Sequence, residues 1–211
     1  MRPFPFPPVL ICVIALCVLS GCNSKTPATR FYVLNPLETA QDLAGQGKGE
    51  KNLFIEIGSL SLPQYLERPQ IVTRDTENRL DLAEFHQWGG NLRKNMIRVL
   101  SKNLSLLLAT PYIAVPPQRP PFPPDFRVEV EVMRFERDAG GRVRLSAQWA
   151  VYGGKDRKSL VTRFTELSSP PVTELLDPEP TVQAMSTLVG ELSRIIAEAI
   201  IESARETSRE K

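Results

Sequence analysis

The sequence is poor in the side chains that most often do chemistry. It has one histidine, His86, and three cysteines among 211 residues. The cysteines are Cys12, Cys17 and Cys22, so no disulfide can link two parts of the chain beyond them. A Ser-His-Asp or Cys-His site would have to use His86, which we interpret as a helix-end or surface histidine beside Phe85. Without further histidines or thiols, and without an Asp-x-Asp-x-Asp-Gly loop, the sequence predicts no metal, no cofactor and no enzyme.

The sequence also lacks a strong excess of charge of either sign. Lys and Arg number 26 against 24 Asp and Glu, and the formal net charge is +2. So small an imbalance gives no general attraction to nucleic acid. The glycine-rich stretch 45–49 lacks the Lys-Ser/Thr pair of a phosphate loop and is interpreted as a flexible linker. Glu129 and Glu131 share one face of a predicted strand with Arg127 nearby, which favours a solvated face over a catalytic carboxylate pair.

Only one long apolar run is present, at residues 9–19, directly after the positive start Met1-Arg2. A membrane-spanning helix needs roughly 20 apolar residues, so this run is too short for one but fits the core of a signal peptide. The sequence therefore predicts export of the chain.

The four residues after this core, Leu19, Ser20, Gly21 and Cys22, resemble a lipobox. Small residues at Ser20 and Gly21 let the signal peptidase close on the backbone, and the Cys22 thiol accepts the diacylglyceryl group. We predict that a signal peptide, 1–21, is removed and that Cys22 carries a palmitate-type lipid anchor. The alternative is an ordinary secretory signal in which Cys22 is incidental.

Beyond the anchor, the pattern predicts a short tether, 22–28, one domain, 29–204, and a charged tail, 205–211. Alternation of apolar and polar residues or strand-forming composition predicts strands. Prolines fill much of the stretch 116–124, which is interpreted as a stiff spacer, with docking on a partner groove as the alternative. The predicted strands lie at 30–34, 53–57, 70–74, 79–82, 126–132, 143–151 and 160–167, with a turn at 138–141.

Two helices are predicted from apolar residues that recur every three or four positions. The first stripe runs from Phe85 and Trp88 to Leu108, but Gly89-Gly90 weakens its first turn, so the helix proper is expected to begin near Asn91. The second helix starts at Asp177-Pro178. Neither stripe can be buried alone. The predicted fold is therefore a single α/β domain, with one mixed, twisted sheet of about five or six strands packed by both helices.

One turn has the composition of a contact surface. Pro63, Tyr65, Leu66, Arg68 and Pro69 combine rigid, aromatic, apolar and cationic groups within a few positions. Aromatic residues and arginine carry much of the binding energy at protein interfaces, so these five are candidate partner contacts. In the alternative interpretation, Tyr65 and Leu66 only cap the core and Arg68 is solvated.

This turn also carries a resemblance. The stretch 62–74, together with the lipobox and the segment 30–34, resembles the ABC-type transport auxiliary lipoproteins, the family of the paraquat-inducible protein PqiC. Gln148-Trp149 and the residues 182–185 fit the same pattern, and the resemblance covers nearly all of the mature chain. Gly89-Gly90 departs from it, since a small residue followed by an acidic one is expected there.

The resemblance implies a non-catalytic lipoprotein that works with an MCE-type (mammalian cell entry) system, which moves phospholipids or other hydrophobic molecules between membranes. Its expected partners are an MCE-domain protein and the associated inner-membrane transporter, and homo-oligomerisation is left open. Asn23 stands where aspartate would retain a lipoprotein in the inner membrane, so the periplasmic face of the outer membrane is expected. The implied fold is similar to the amino-terminal domain of TolB. Alternative hypotheses are an assembly lipoprotein that plugs or chaperones a β-barrel and a lipid-anchored enzyme.

Overall fold

Strands and helices alternate in the computed structural model, which describes residues 27–38, 53–115, 123–154, 158–174 and 177–209. The predicted signal peptide, the lipobox, Asn23 and the glycine-rich stretch 45–49 lie outside the described residues. The elements are β1 Arg30–Tyr32, β2 Ile55–Ser61, β3 Gln70–Thr76, β4 Arg79–Trp88, α1 Leu92–Leu107, β5 Ile113–Ala114, β6 Phe126–Arg137, β7 Arg142–Gly153, β8 Ser159–Pro171 and α2 Glu179–Arg209.

The strands form one mixed sheet organised around β6. On one side β6 pairs antiparallel with β7 along its whole length, and β7 pairs with β8. On its other side β6 pairs with two parallel strands in succession, β2 alongside residues 126–131 and β3 at Arg137. Beyond β2 lies β5, and beyond β3 lie β4 and then β1. The chain therefore runs past β6 twice in the same direction, first as β2 and then as β3.

The predicted fold class is confirmed, since the described residues form a single mixed α/β domain with two α-helices. Across the same ranges the sheet has eight strands, whereas about five or six were predicted. The strand that the sequence did not indicate is β5, whose two residues are too few to show any alternation. It is a strand because Ile113 and Ala114 pair with β2, which lies more than fifty positions earlier.

Alternation along β6 and β7 divides the sheet into two faces. The inner face carries buried apolar side chains that pack against α1 and α2, among them Val128, Val130 and Trp149. The opposite face, called the outer face below, carries half-buried or exposed polar side chains such as Arg127 and Glu131. One face thus supplies the core and the other faces solvent.

The start of α1 was predicted correctly, but the element before it was not. Asn91 caps the helix, because its Oδ1 accepts a hydrogen bond from Lys94 N at 3.2 Å. Phe85 and Trp88 belong to β4 and not to the helical stripe. Their spacing fits a helix by sequence alone. In the structure Gly90 adopts a φ of 110°, and the backbone turns there between the strand β4 and the helix α1.

The second helix also begins where predicted and continues further than expected. Asp177 Oδ1 accepts a hydrogen bond from Glu179 N at 3.0 Å, and α2 then extends to Arg209, into the segment assigned to a charged tail. The two helices share a buried polar contact, in which Asn103 Nδ2 donates to Ser193 Oγ at 3.0 Å. Within the residues that the structure describes, neither helix is long and apolar enough to cross a membrane.

Candidate functional site

The candidate site arises where the sheet is interrupted. Between β2 and β3 the chain leaves β6 and forms a turn, residues 62–69, whose middle is a 3-10 helix, Gln64–Leu66. The turn lies beside the part of β6 that neither β2 nor β3 pairs with. In that part β6 has a bulge, since its register with β7 shifts between Val132 and Arg134. A bulge redirects side chains, and here it turns Met133 into solvent, 44% exposed.

Glu136 lies under this turn on the outer face and is fully buried. Its Oε1 accepts hydrogen bonds from Arg74 Nε at 2.8 Å and from Arg134 Nε at 3.0 Å. Its Oε2 accepts from the Tyr65 hydroxyl at 2.9 Å and from Phe135 N at 3.1 Å. We call Tyr65, Arg74, Arg134 and Glu136 the buried cluster. Two cations and two neutral donors compensate the carboxylate, as burial of a charge requires.

The electrostatics of the buried cluster favour a structural role for its members. Burial, and after it the Glu136 carboxylate, raises the pKa of Tyr65 to about 12, so the phenol stays protonated and donates its hydrogen bond. The hydrogen bond to Glu136 raises the pKa of Arg74. Arg74 also lies near the Tyr65 ring, with Cζ 5.9 Å from the ring centroid. The cluster therefore holds the turn rigidly against the sheet.

A shallow cavity of about 540 Å³ opens beside the buried cluster on the outer face. Its lining includes the Tyr65 ring, Met133 and Arg134 together with Arg144 from β7. Arg134 bonds to Glu136 through Nε, and in the described part of the chain its two terminal nitrogens have no hydrogen-bond partner. The cavity thus presents an aromatic ring, a thioether and guanidinium groups to solvent.

The hairpin between β6 and β7 forms the rim of this cavity. The predicted turn at 138–141 is confirmed, with Gly141 N donating to Asp138 O at 2.9 Å. Burial raises the pKa of the Asp138 carboxyl, but hydrogen bonds from Arg144 Nε at 2.5 Å and from Arg142 N outweigh it. The net pKa of Asp138 lies below its ordinary value. Asp138 therefore remains charged and fixes Arg144 at the rim.

The five predicted contact residues occupy different environments in the turn. Leu66 is buried in the core, and Tyr65 is half-buried with its hydroxyl on Glu136. Arg68 and Pro69 are exposed, and Pro63 is half-buried. Of the five residues, Arg68 and Pro69 are therefore accessible, Pro63 and Tyr65 are accessible in part, and Leu66 serves the core.

Sequence reasoning missed Glu136, Arg134 and Met133. The one signal for them is the pair of adjacent apolar residues Val132 and Met133, which breaks the alternation and marks the bulge. His86, which the sequence assigned to a helix end or the surface, lies on β4, where its Nδ1 is 2.8 Å from the Tyr32 hydroxyl oxygen. Across the described ranges no group of three or more His, Cys, Asp and Glu side chains could hold a metal ion.

Comparison with known proteins gives one family and several solved structures of similar fold, including two crystal structures. The family model of the ABC-type transport auxiliary lipoprotein component matches residues 32–197. The crystal structure of protein XCC0632 from Xanthomonas campestris, of the DUF330 family, is similar with a TM-score of 0.63 and 13% identity, covering 86% of this chain and 97% of that one. A crystal structure of an uncharacterized protein has a TM-score of 0.62 and 19% identity, covering 82% and 99%. These identities show likeness of fold alone. No curated protein matches the chain.

Proposed function

The chain belongs to the family of ABC-type transport auxiliary lipoproteins, and from this premise we propose that it is a non-catalytic docking component of an MCE-type intermembrane transport system. Lipid on Cys22 anchors it, and Asn23 favours the periplasmic face of the outer membrane. From there the domain binds a periplasm-spanning MCE-domain protein, which links it to the inner-membrane transporter. The cargo class is phospholipid or another hydrophobic molecule.

The observation that carries this proposal is the composition of the cavity beside the buried cluster. Methionine, aromatic residues and arginine are enriched at protein interfaces, and here Met133, Tyr65 and Arg134 lie together on the outer face. Met133 is a large apolar side chain that a bulge turns into solvent. Its exposure does not stabilise the folded monomer. A partner that covered it would remove apolar surface from water.

Rigidity of the cavity wall supports the same role. Tyr65 and Arg134 are each held by Glu136, and Arg144 is held by Asp138. Side chains that are already ordered lose little conformational entropy when a partner binds, so more of the contact energy appears as affinity. The terminal nitrogens of Arg134 can donate hydrogen bonds to a carboxylate or a carbonyl group of the partner.

The test compares two exposed apolar residues on the outer face. The lipidated full chain, Met133→Glu and Phe164→Glu would each be purified from detergent-solubilised native membranes with their bound proteins. Phe164 lies on β8, is 55% exposed and lines no part of the cavity. We expect an MCE-domain protein with the unchanged chain, about tenfold less of it with Met133→Glu, and an unchanged amount with Phe164→Glu.

Other outcomes separate the parts of the proposal. Recovery of an outer-membrane β-barrel in place of an MCE-domain protein would contradict the transport role and support the assembly alternative. Equal recovery of the MCE-domain protein with both variants would contradict the assignment of the cavity while leaving the transport role intact. Intact-mass spectrometry tests the anchor separately, since an amino terminus without acylated Cys22 would contradict it.

A further inference from the structure

Strand β1 exposes two large apolar side chains close to the predicted anchor. Phe31 is 67% exposed and Val33 is 47% exposed, whereas Tyr32 and Leu34 between and after them are buried. Because successive side chains of an extended chain point to opposite sides, Phe31 and Val33 project from the same side. We call this side of β1 the Phe31 patch. Phe31 has the highest exposure of the large apolar residues in the described part of the chain.

The backbone that carries the Phe31 patch is held firmly. Residues 30–32 pair in parallel with residues 86–88 of β4, Gly89 N donates to Tyr32 O at 2.6 Å, and Arg98 Nη2 donates to Leu34 O at 2.5 Å. Gly89 lies directly beside the patch, where a Cβ would come within 3.0 Å of Val33 Cγ1. The exposure of Phe31 is therefore a property of an ordered edge strand.

The length of chain before β1 limits what can cover it. Only eight residues separate Cys22 from Phe31. Even fully extended, they span about 30 Å. A lipid on Cys22 would thus hold the Phe31 patch permanently within a short distance of the bilayer surface. Contact with that surface becomes an intramolecular event, which a single apolar side chain can favour without strong affinity of its own.

The charges on this segment suit a lipid surface. Between Cys22 and Phe31 the charged residues are Lys25 and Arg30, with no acidic residue among them. Basic residues that flank an apolar side chain are attracted to anionic headgroups. Tyr32, whose side chain points away from Phe31 and Val33, is the residue of β1 that acidic groups affect: burial first, and then Asp177 and Glu179, raise the pKa of its hydroxyl.

We propose that the Phe31 patch rests on the membrane to which Cys22 is anchored, with Phe31 inserted among the headgroups and Val33 beside it. The inference rests on the proposed lipidation of Cys22 and adds a second, protein-side contact that fixes the orientation of the domain. With the anchor and the Phe31 patch both on the membrane, the domain would face the periplasm in one preferred orientation.

The test places a fluorophore at matched exposed phenylalanines. The acylated full chain carrying Phe31→Trp or Phe164→Trp is reconstituted into phosphatidylcholine vesicles with about 30% phosphatidylglycerol, an anionic lipid that basic residues favour. The acyl chains are either brominated or unbrominated. The native Trp88 and Trp149 are buried and contribute equally to both variants. An inserted ring lies roughly 5–10 Å into the interface, so brominated lipid should quench Phe31→Trp by about twofold and leave Phe164→Trp unchanged.

Equal quenching of the two variants would overturn the proposal. The emission of Phe31→Trp could instead change with protein concentration and stay the same with brominated and unbrominated lipid. That result would also overturn the proposal, because it would show that the patch binds a second copy of the chain. Mass spectrometry on the same sample distinguishes this failure from failure of the anchor: acylated protein without quenching refutes the patch alone, and protein without acyl groups refutes the anchor.

Discussion

Two arginine–glutamate clusters lie on the same face of β6 and differ in what covers them. In the open cluster, Arg127 donates to Glu129 at 3.0 Å and to Glu56 at 3.1 Å. The side chains of these carboxylates keep exposures of 36% and 18%, whereas Glu136 in the buried cluster has 0%. The pairings are chemically alike. The two clusters differ because the turn 62–69 covers Glu136 and excludes solvent from it, whereas it leaves Glu129 and Glu56 accessible to solvent.

The comparison teaches that the context of an ion pair decides its energetic weight. Exposed pairs contribute little because water and salt screen them. A buried carboxylate depends on every donor that replaced its hydration, and each donor depends on the carboxylate in return. The buried cluster should therefore control the stability of the turn and the shape of the cavity, and the open cluster should control neither.

The sharpest way to break this comparison is to remove one carboxylate from each cluster. Glu136→Ala leaves two guanidinium groups and a hydroxyl without their acceptor, and we expect the free energy of unfolding to fall by about 3 kcal/mol. The partial exposure of Arg74 and Arg134 places the loss at the lower end of the usual range, because water can reach them. Urea denaturation would measure it.

The matched control is Glu129→Ala, which removes a carboxylate that also pairs with an arginine through Nε. Its expected loss is at most about 1 kcal/mol. A similar loss for both variants would show that the turn does not isolate Glu136 from solvent. Glu136→Ala should also weaken binding of the partner, since Tyr65 and Arg134 would no longer be held in place.

A second, smaller effect should come from the Tyr65 hydroxyl. Tyr65→Phe removes one donor to Glu136, and we expect a loss of about 1 kcal/mol at pH 7. The pKa of Tyr65 is raised to about 12 in the folded protein from 10.0. A raised pKa means that the folded state holds its proton more tightly, so this stabilisation is complete below pH 10 and is lost as pH rises through 12.

The measurement is the difference in unfolding free energy between the unchanged chain and Tyr65→Phe across this range. The difference should shrink from pH 10 towards pH 12, because the tyrosine of the unfolded chain loses its proton in this range while the folded state still holds it. A difference that stayed constant from pH 8 to pH 12 would mean that the hydroxyl does not donate to Glu136.

The two clusters also mark how far the sequence could predict the structure. Alternation along residues 126–132 correctly placed Glu129 and Arg127 on the solvated face, because a regular strand keeps its period of two. The bulge at Met133, which shows in the pairing of β6 with β7, changes that period, and the hydroxyl that binds Glu136 comes from a residue 71 positions earlier. Tyr65 was recognisable by composition as a candidate, but its partner Glu136 was not.

The same reasoning explains the error at β4. Phe85, Trp88 and Leu92 are spaced as a helix requires, and local pattern cannot tell that Trp88 ends β4, where its N donates to Pro69 O at 2.7 Å just before β3. Long-range backbone pairing overrides periodicity in such short stretches. By contrast, Asn91 and Asp177 were correctly indicated as helix starts, because capping is a local interaction that a few adjacent residues determine.

The weakest perturbation tests the open cluster through its backbone. The register of β2 against β6 shifts between Ile57 and Ser59, and the guanidinium of Arg127 lies over Gly58 between them. A Cβ at Gly58 would overlap Arg127 Nε and come within 2.7 Å of its Cζ. In Gly58→Ala, Arg127 must therefore turn away and release both Glu56 and Glu129.

If these pairs contribute little, the loss in the free energy of unfolding should stay within about 0.5 kcal/mol. The lower backbone entropy of the unfolded alanine variant offsets part of it. Thermal and urea denaturation of Gly58→Ala, alone and combined with Arg127→Ala, would measure this. With Arg127 removed the alanine has nothing to displace, so it should be neutral or stabilising there; a loss that persisted would come from the strand itself and not from the cluster.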